Sequence, residues 1–396
     1  MSSTENEELS ISSDENMEQI NNLELKGKIL KHYNILYELG RGAFSIVWLA
    51  YNINNNNYYA LKVQTPEEYK VGIDEIKFVK KLPENPNVFN NIYESFIETQ
   101  NDLKYLCSVW HLHASNLDNL LRKGNYTNGF PLHIVKKIMK QLIESIYILH
   151  TRFKVFHGDI KTDNILIKGL NNKDKFMIDE YNNAKFLDQY IEKKKNITNK
   201  ETKKKLREEI HLNITNEILE KYEKTDIETR KYDINIDNIN ISLADFGTYC
   251  TEDNYYDEPF GTRYYQAPEI ILGGKCSYPV DIWALGCTFY ELITGKLLFD
   301  PNKDSNYSRD YYHLYLINKT CGNYNSIFLK STQNYKKYFN KEFKLKDFNN
   351  EDITRLTDKI NEIEHITDDD KKDIHTILIK MLTINPNIRV LIKDLI

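Results

Sequence analysis

The chain has 396 residues, 28% charged and 41% hydrophobic, enough apolar material to bury a sizeable core. Its 53 basic and 58 acidic residues leave a formal charge of −5, which argues against a strongly basic nucleic-acid binder and against a polyacidic chain. No apolar run reaches membrane-span length, the first residues lack a basic and apolar leader, and the cysteines (Cys107, Cys250, Cys276, Cys287, Cys321) form no C-x-x-C pair. The expectation is a reducing setting, cytoplasmic or nuclear (host cytoplasm for a virus-encoded chain), with no membrane partner.

Residues 1–24 are acidic and rich in Ser, Glu and Asn, and are expected to be a disordered tail. From Tyr33 to Val63 the alternating runs YNILYEL, SIVWLAY and YYALKV predict an antiparallel meander, with Gly40 and Gly42 in one turn and NINNNN in another. A helix is predicted over 66–82, with Ile73, Ile76, Phe78 and Val79 as its apolar stripe and Pro83 and Pro86 as its stop. A second, strongly amphipathic helix is predicted over 131–150, followed by the strand-like VFHGDIKTDNILI. Residues 168–240 then lose the core-forming pattern. The segment reads as a charged insertion, partly helical through Glu–Lys pairs one turn apart and otherwise solvated. Its Lys triplets at 193–195 and 203–205 are interleaved with acids and have few aromatic neighbours, so a solvated face is favoured over a nucleic-acid tether. Compact packing resumes at ISLADFG, and helical patterning dominates from Val280 onwards. Strands first and helices afterwards predict an α+β chain with its layers segregated.

Some residues carry chemistry. Gly40 and Gly42 let a turn close over a ligand, because a side chain there would hold the backbone away. Lys62, in the apolar strand YALKV, is costly to bury unless it meets an anion or a carboxylate, and Glu75 stands on the next helix. Asp159, Lys161 and Asn164 share a short loop between a helix and a strand. An Asp there can accept a hydrogen bond from an incoming hydroxyl, the Lys can neutralise a transferring phosphoryl group, and the Asn can coordinate a metal. Asp245, in LADFG, follows an apolar run, and Gly247 permits a sharp turn. Hard oxygen donors from Asn164 and Asp245 suit Mg²⁺ rather than zinc.

The glycine-bearing turn, the strand Lys, the helix Glu, H-x-D-x-K-x-x-N, D-F-G and A-P-E occur in that order. Over residues 30–396, apart from the insertion, the chain resembles a eukaryotic-type protein kinase. The resemblance implies a bilobal fold: an antiparallel-sheet N-lobe with one main helix over 25–110, and a mostly helical C-lobe over 111–396 interrupted by 168–240. It implies ATP and Mg²⁺ as cofactors and a protein Ser or Thr hydroxyl as acceptor, Lys161 being the Ser/Thr-type choice. Gly40 and Gly42 would cover the phosphates, with Val47 and Ala60 beside the nucleotide. Lys62 would reach the α- and β-phosphates, held by Glu75. Trp110 aligns with the gatekeeper behind adenine, and the backbones of His111 and His113 align with the adenine contacts. Asp159 would orient the substrate hydroxyl and accept its proton, Thr262 would buttress Asp159 and Lys161, and Asn164 and Asp245 would hold Mg²⁺. Glu269 and Arg389 match a buried ion pair, and Asp281 matches the anchor beneath the catalytic loop. With Lys62, Glu75, Asp159, Asn164 and Asp245 all present, an active monomeric enzyme is favoured over a pseudokinase scaffold.

FSIVWLAYN, IDEIKFVKKLPENPN, HGDIKTDNIL and LFDPNKDSNYSRDYYH are similar to segments of the SR-protein kinase family of the CMGC group, which also splits its catalytic domain with a spacer at this place. That family feeds Arg-Ser-rich protein substrates through an acidic docking groove. In an ungapped reading the matching positions here are Lys296, Tyr312 and Lys319, which oppose a polybasic peptide. Gln266 stands where the family carries Arg, and Ser45 replaces the third glycine of the loop, as it does in the family. Gly158 replaces the Arg that pairs with a phosphorylated activation loop in many kinases, so activity without that phosphorylation is expected. Arg263 is the nearest basic substitute.

Overall fold

The computed structural model describes residues 25–42, 45–84, 88–100, 103–253, 259–301, 307–347 and 353–396; the acidic tail expected over 1–24 lies outside them. The chain forms two compact units. Of the described residues, those within 25–84, 90–112 and 169–231 make one, and those within 88–89, 113–168 and 232–396 the other.

Strands β1 (Ile29–Leu30), β2 (Tyr33–Arg41), β3 (Ser45–Asn52), β4 (Tyr58–Gln64), β5 (Ile92–Gln100) and β6 (Leu103–Trp110) build the first unit's sheet, in the order β1-β2-β3-β4-β6-β5. Every pairing is antiparallel. Alternation sends Ile35, Trp48, Ala50, Leu61, Val63, Cys107 and Val109 into one buried layer. Helix α1 (Tyr69–Val79) lies within the predicted 66–82 and buries Glu75, Ile76, Phe78 and Val79. It passes so near β4 that a Cβ at Gly72 would lie 2.5 Å from the Gln64 side chain. In the second unit come α2 (Leu117–Arg122) and α3 (Leu132–Ile148), the latter continued by a wide turn over Leu149–Phe153.

The insertion corrects the expectation of a largely solvated segment. Helices α4 (Asn172–Asn183), α5 (Phe186–Lys193) and α6 (Lys200–Glu223) belong to the first unit. They bury Met177, Tyr181, Phe186, Tyr190, Ile210, Ile214 and Ile218 against Leu36, Tyr37, Leu49 and Tyr51 of β2 and β3. The physical reason is that these four sheet residues form a second apolar face, and burying each large side chain contributes about 1.5–3 kcal/mol. Polar contacts fix the register: the Tyr37 hydroxyl donates to Asp174, and the Tyr58 hydroxyl donates to Asn182 Oδ1 at 2.7 Å. Asn171 and Asn199 cap α4 and α6. The expected Glu–Lys pairs do form, Lys205 with Glu201 at 3.3 Å and Lys204 with Glu208 at 3.9 Å.

The second unit has a three-stranded antiparallel sheet of β7 (His113–Asn116), β8 (Ile165–Lys168) and β9 (Ile241–Leu243). Its remaining helices are α7 (Pro268–Leu272), α8 (Pro279–Thr294), α9 (Arg309–Cys321), α10 (Ser326–Lys330), α11 (Tyr335–Tyr338), α12 (Leu356–Asn361) and α13 (Asp368–Met381). Helix α8 is buried from Pro279 to Ile293, which makes it the unit's central element. No helix among the described residues is long and apolar enough to cross a membrane.

Candidate active site

The residues singled out in the sequence fall into two sets. Gly40, Gly42, Val47, Ala60, Lys62, Glu75, Trp110 and His111 lie in the first unit, and His113, Asp159, Lys161, Asn164, Asp245 and Thr262 in the second.

In the first unit the strand register sets one row, Gly40 opposite Val47, Val47 opposite Lys62, and Lys62 opposite Ser108. The next row on the same face holds Leu49, Ala60 and Trp110. Lys62 Nζ reaches Glu75 Oε2 at 3.1 Å, with the Glu75 side chain only 4% exposed and that of Lys62 20%. A carboxylate on α1 therefore meets the lysine that the apolar strand would otherwise strand. A Cβ at Gly40 would meet no atom within 4 Å, and one at Gly42 would meet only Ser45 at 3.7 Å, so internal packing does not demand glycine at either place. Both leave backbone open to a ligand. Trp110 is buried, and its indole N–H donates to Ser108 Oγ at 2.8 Å. His111 is exposed, whereas His113 is half-buried with Nε2 3.4 Å from Ser242 Oγ.

The second unit holds the denser cluster. Asp159 Oδ1 accepts the Thr262 N–H at 2.7 Å, and Lys161 Nζ lies 2.7 Å from Asp159 Oδ2. Lys161 also donates to Thr262 Oγ1 at 2.6 Å, and Asn164 Nδ2 donates to the Asp159 carbonyl at 2.9 Å. Burial pushes the Asp159 carboxyl up, but Lys161 and the Thr262 donors outweigh it and hold it below the ordinary range. The group stays an ionised acceptor at neutral pH.

The β8–β9 ladder brings the two oxygen donors together: Ile165 pairs with Leu243, and the Ala244 N–H donates to the Asn164 carbonyl at 3.0 Å. Asp245, the next residue, is exposed and sits at φ +64, a left-handed conformation that is strained for a non-glycine residue. An amide oxygen and an exposed carboxylate carried by these neighbouring backbone positions are donors of the type a hard divalent cation takes, with its other ligands from phosphate and water.

Asp281 supports the loop from below, accepting from the His157 N–H at 2.8 Å, the Gly158 N–H at 2.9 Å and His150 Nε2 at 2.9 Å. Burial pushes its carboxyl up, but these partners prevail and hold it low. Arg389 makes a bidentate pair with Glu269 at 2.6 and 2.9 Å and spends its other donors on the Thr383, Pro279 and Ile384 carbonyls. A buried charge pair is tolerated when satisfied this fully.

Three further features were not read from the sequence. Gly158 (φ +80) and Gly261 (φ +73) face each other, and a Cβ on Gly261 would lie 2.5 Å from the Gly158 carbonyl. Gln266 Nε2 donates to the carbonyls of Phe260 at 2.9 Å and Gly261 at 3.2 Å, fixing the chain just before Thr262. Buried Glu291 accepts from the Tyr265 hydroxyl at 2.5 Å and from Thr162 Oγ1 at 3.4 Å, and pairs with Arg122. The replacement of an Arg by Gln266 was a sequence signal that something differed, though not what.

A family model described as the protein kinase domain matches residues 33–198 and 169–396. A serine/threonine-protein kinase of Acanthamoeba polyphaga mimivirus is 28% identical over 431 residues, covering 83% of this chain and 80% of the relative. The serine/threonine-protein kinase SRPK of Physarum polycephalum is 31% identical over 333 residues, covering 81% and 74%. The protein kinase dsk1 of Schizosaccharomyces pombe is 24% identical, covering 90% and 78%.

Proposed function

Because the chain belongs to the protein kinase family, as a serine/threonine enzyme close to the SR-protein kinases, we propose that it transfers the γ-phosphoryl group of ATP to a protein hydroxyl through the residues described above. Asp159 accepts the hydrogen bond of the incoming Ser or Thr hydroxyl and then its proton. The acceptor oxygen bonds to the γ-phosphorus as the bond to the β,γ-bridging oxygen breaks, and ADP leaves. Lys161, beside Asp159, offsets charge on the moving phosphoryl group. Thr262 holds both side chains in place. Lys62, fixed by Glu75, binds the α- and β-phosphates, Gly40 and Gly42 lie over them, and Val47 and Ala60 flank the base. Trp110 stands behind adenine, with the His111 and His113 backbones at its edge. Asn164 and Asp245 would hold Mg²⁺, which when bound neutralises phosphate charge. The observation that carries the reading is the cluster of Asp159, Lys161, Asn164 and Thr262, joined by bonds of 2.6–2.9 Å.

Activity needs no activation-loop phosphate in this reading. Gly158 offers no cation, Arg263 is already paired with Asp310 at 2.7 Å, and Gln266 fixes the loop with uncharged bonds. Wild type and Asp159→Ala, incubated with Mg-ATP and an arrayed Ser/Thr peptide library, test the proposal. Asp159→Ala should lose at least about 10²-fold in turnover, and wild type pretreated with phosphatase should keep its activity. Equal signals from wild type and Asp159→Ala would refute the assignment of Asp159. Loss of activity in a folded, dephosphorylated protein would refute the regulatory half.

A further inference from the structure

We infer that the insertion carries a basic docking surface, at the end of α5 and the start of α6, and that its occupant is the acidic segment 1–24 of the same chain. Seated there, the segment screens the surface from other polyanions.

The Lys triplets 193–195 and 203–205, separate in the sequence, meet in the fold. Helices α5 and α6 run antiparallel. The Phe186 ring stacks on His211 at 3.6 Å, and one turn further on the Arg207 guanidinium lies 4.7 Å from the centre of the Tyr190 ring. Another step of four on each helix brings 194 level with 203. The Lys194 ammonium lies 5.0 Å from that same Tyr190 ring. The run 193–207 holds eight Lys or Arg and one acid, Glu201. Its two ion pairs, Lys205 with Glu201 and Lys204 with Glu208, are solvent-facing and contribute little. Among the described residues, Lys193, Lys195, Lys200 and Lys203 enter no salt bridge. Lys200 and Lys203 also stand at the start of α6, where the aligned peptide dipoles add positive charge to theirs. The surface lacks carboxylates.

The chain's own first residues supply them. Residues 1–24 hold seven Asp or Glu and no Lys or Arg. They join the described chain at Leu25, which is buried, and the residues just after it lie along α6. The Ile29 N–H donates to Glu208 Oε1 at 3.3 Å, and a Cβ at Gly27 would lie 2.7 Å from Leu212 Cβ. At 1.5 Å per residue, position 208 is only about 5–8 Å along the helix axis from 203–205. Twenty-four residues can span up to about 80 Å, so reach does not limit the contact. The tether gives the segment an effective concentration on the order of millimolar, at which several individually weak pairs fill the surface. A free polyanion, nucleic acid included, must displace an occupant already attached. The same segment of a second copy has no such advantage at micromolar protein.

Two measurements on the full chain test this, and neither involves phosphotransfer. In the first, a carbodiimide condenses neighbouring carboxylates and amines to amides with release of water, and the monomer is digested for mass spectrometry. Carboxylates of 1–24 should be joined chiefly to Lys193, Lys195, Lys200 and Lys203, and the links should fade at about 1 M salt. Absent links, links spread evenly over the exposed lysines of the chain, or links found only between two chains overturn the proposal. In the second, a fluorescein-labelled polyglutamate peptide is titrated with wild type and with a full-length variant carrying Glu→Gln at 5, 7, 8, 15, 18 and 24 and Asp14→Asn. The neutralised variant should bind at least about fivefold more tightly, because its surface is open. Adding Lys195→Glu and Lys200→Glu, both at exposed positions, should remove that gain, whereas Lys195→Arg and Lys200→Arg should keep it. Equal binding by wild type and the neutralised variant overturns the proposal, and so does a gain that survives the Lys→Glu changes.

Discussion

A Cβ on Gly158 would lie 2.7 Å from the Thr248 carbonyl, so the place of a regulatory Arg is closed by backbone and not merely vacated. Glycine here is a packing requirement shared with Gly261, and no single substitution at either position is free of strain. Trp110 shows the opposite kind of constraint, bulk rather than close approach. Its buried indole stands opposite Ala60 in the ladder and is held to Ser108. Trp110→Gly should raise kcat/KM for an ATP analogue with a bulky N6 substituent at least about tenfold over wild type, since it removes the whole side chain from the pocket wall. Equal use of the analogue by both proteins in a steady-state assay would place the indole elsewhere. The proposed reacting groups Asp159, Lys161 and Asn164 could be picked out because they share one short loop and their spacing is visible in the sequence. Gln266 and Glu291 could not, because they act on backbone carbonyls and on a tyrosine hydroxyl that only the folded chain brings near.

At the scale of elements, the insertion is the place where sequence pattern and structure part. Helix α6 buries Ile210, His211, Ile214, Thr215, Ile218 and Tyr222, but two of those six are polar by type, and the helix opens on a run of Lys and Glu. The stripe was therefore diluted below recognition. His211 belongs in it because burial, aided by Arg207, pushes its imidazole down to about 3, leaving a neutral ring that stacks on Phe186 at 3.6 Å. Ile214→Ala should cost about 2–5 kcal/mol in denaturant-induced unfolding, whereas Lys204→Ala should stay within about 0.5 kcal/mol. Equal, negligible effects would restore the solvated reading. Helix α3 was readable because six of its seven buried residues are Ile, Val, Leu or Met, and α1 because Ile76, Phe78 and Val79 close an apolar turn just before Pro83.

For the whole molecule, the chain makes two compact units, and the helices of the insertion belong to the first, although the insertion interrupts the sequence of the second. The first unit is discontinuous in sequence. A fragment of residues 1–112 holds the sheet but leaves Leu36, Tyr37, Leu49 and Tyr51 uncovered, so it should show no cooperative thermal transition where the full chain does. A sharp melt of the fragment, followed by circular dichroism, would contradict this. The same discontinuity sets a timetable during synthesis. Residues 113–168 of the other unit emerge before the helices that finish the first. At roughly 5–20 residues per second, the half-covered sheet waits several seconds for its last layer. Through that interval the nascent chain presents a sticky surface, and the insertion, far from being an appendage, is the step that ends its need for protection.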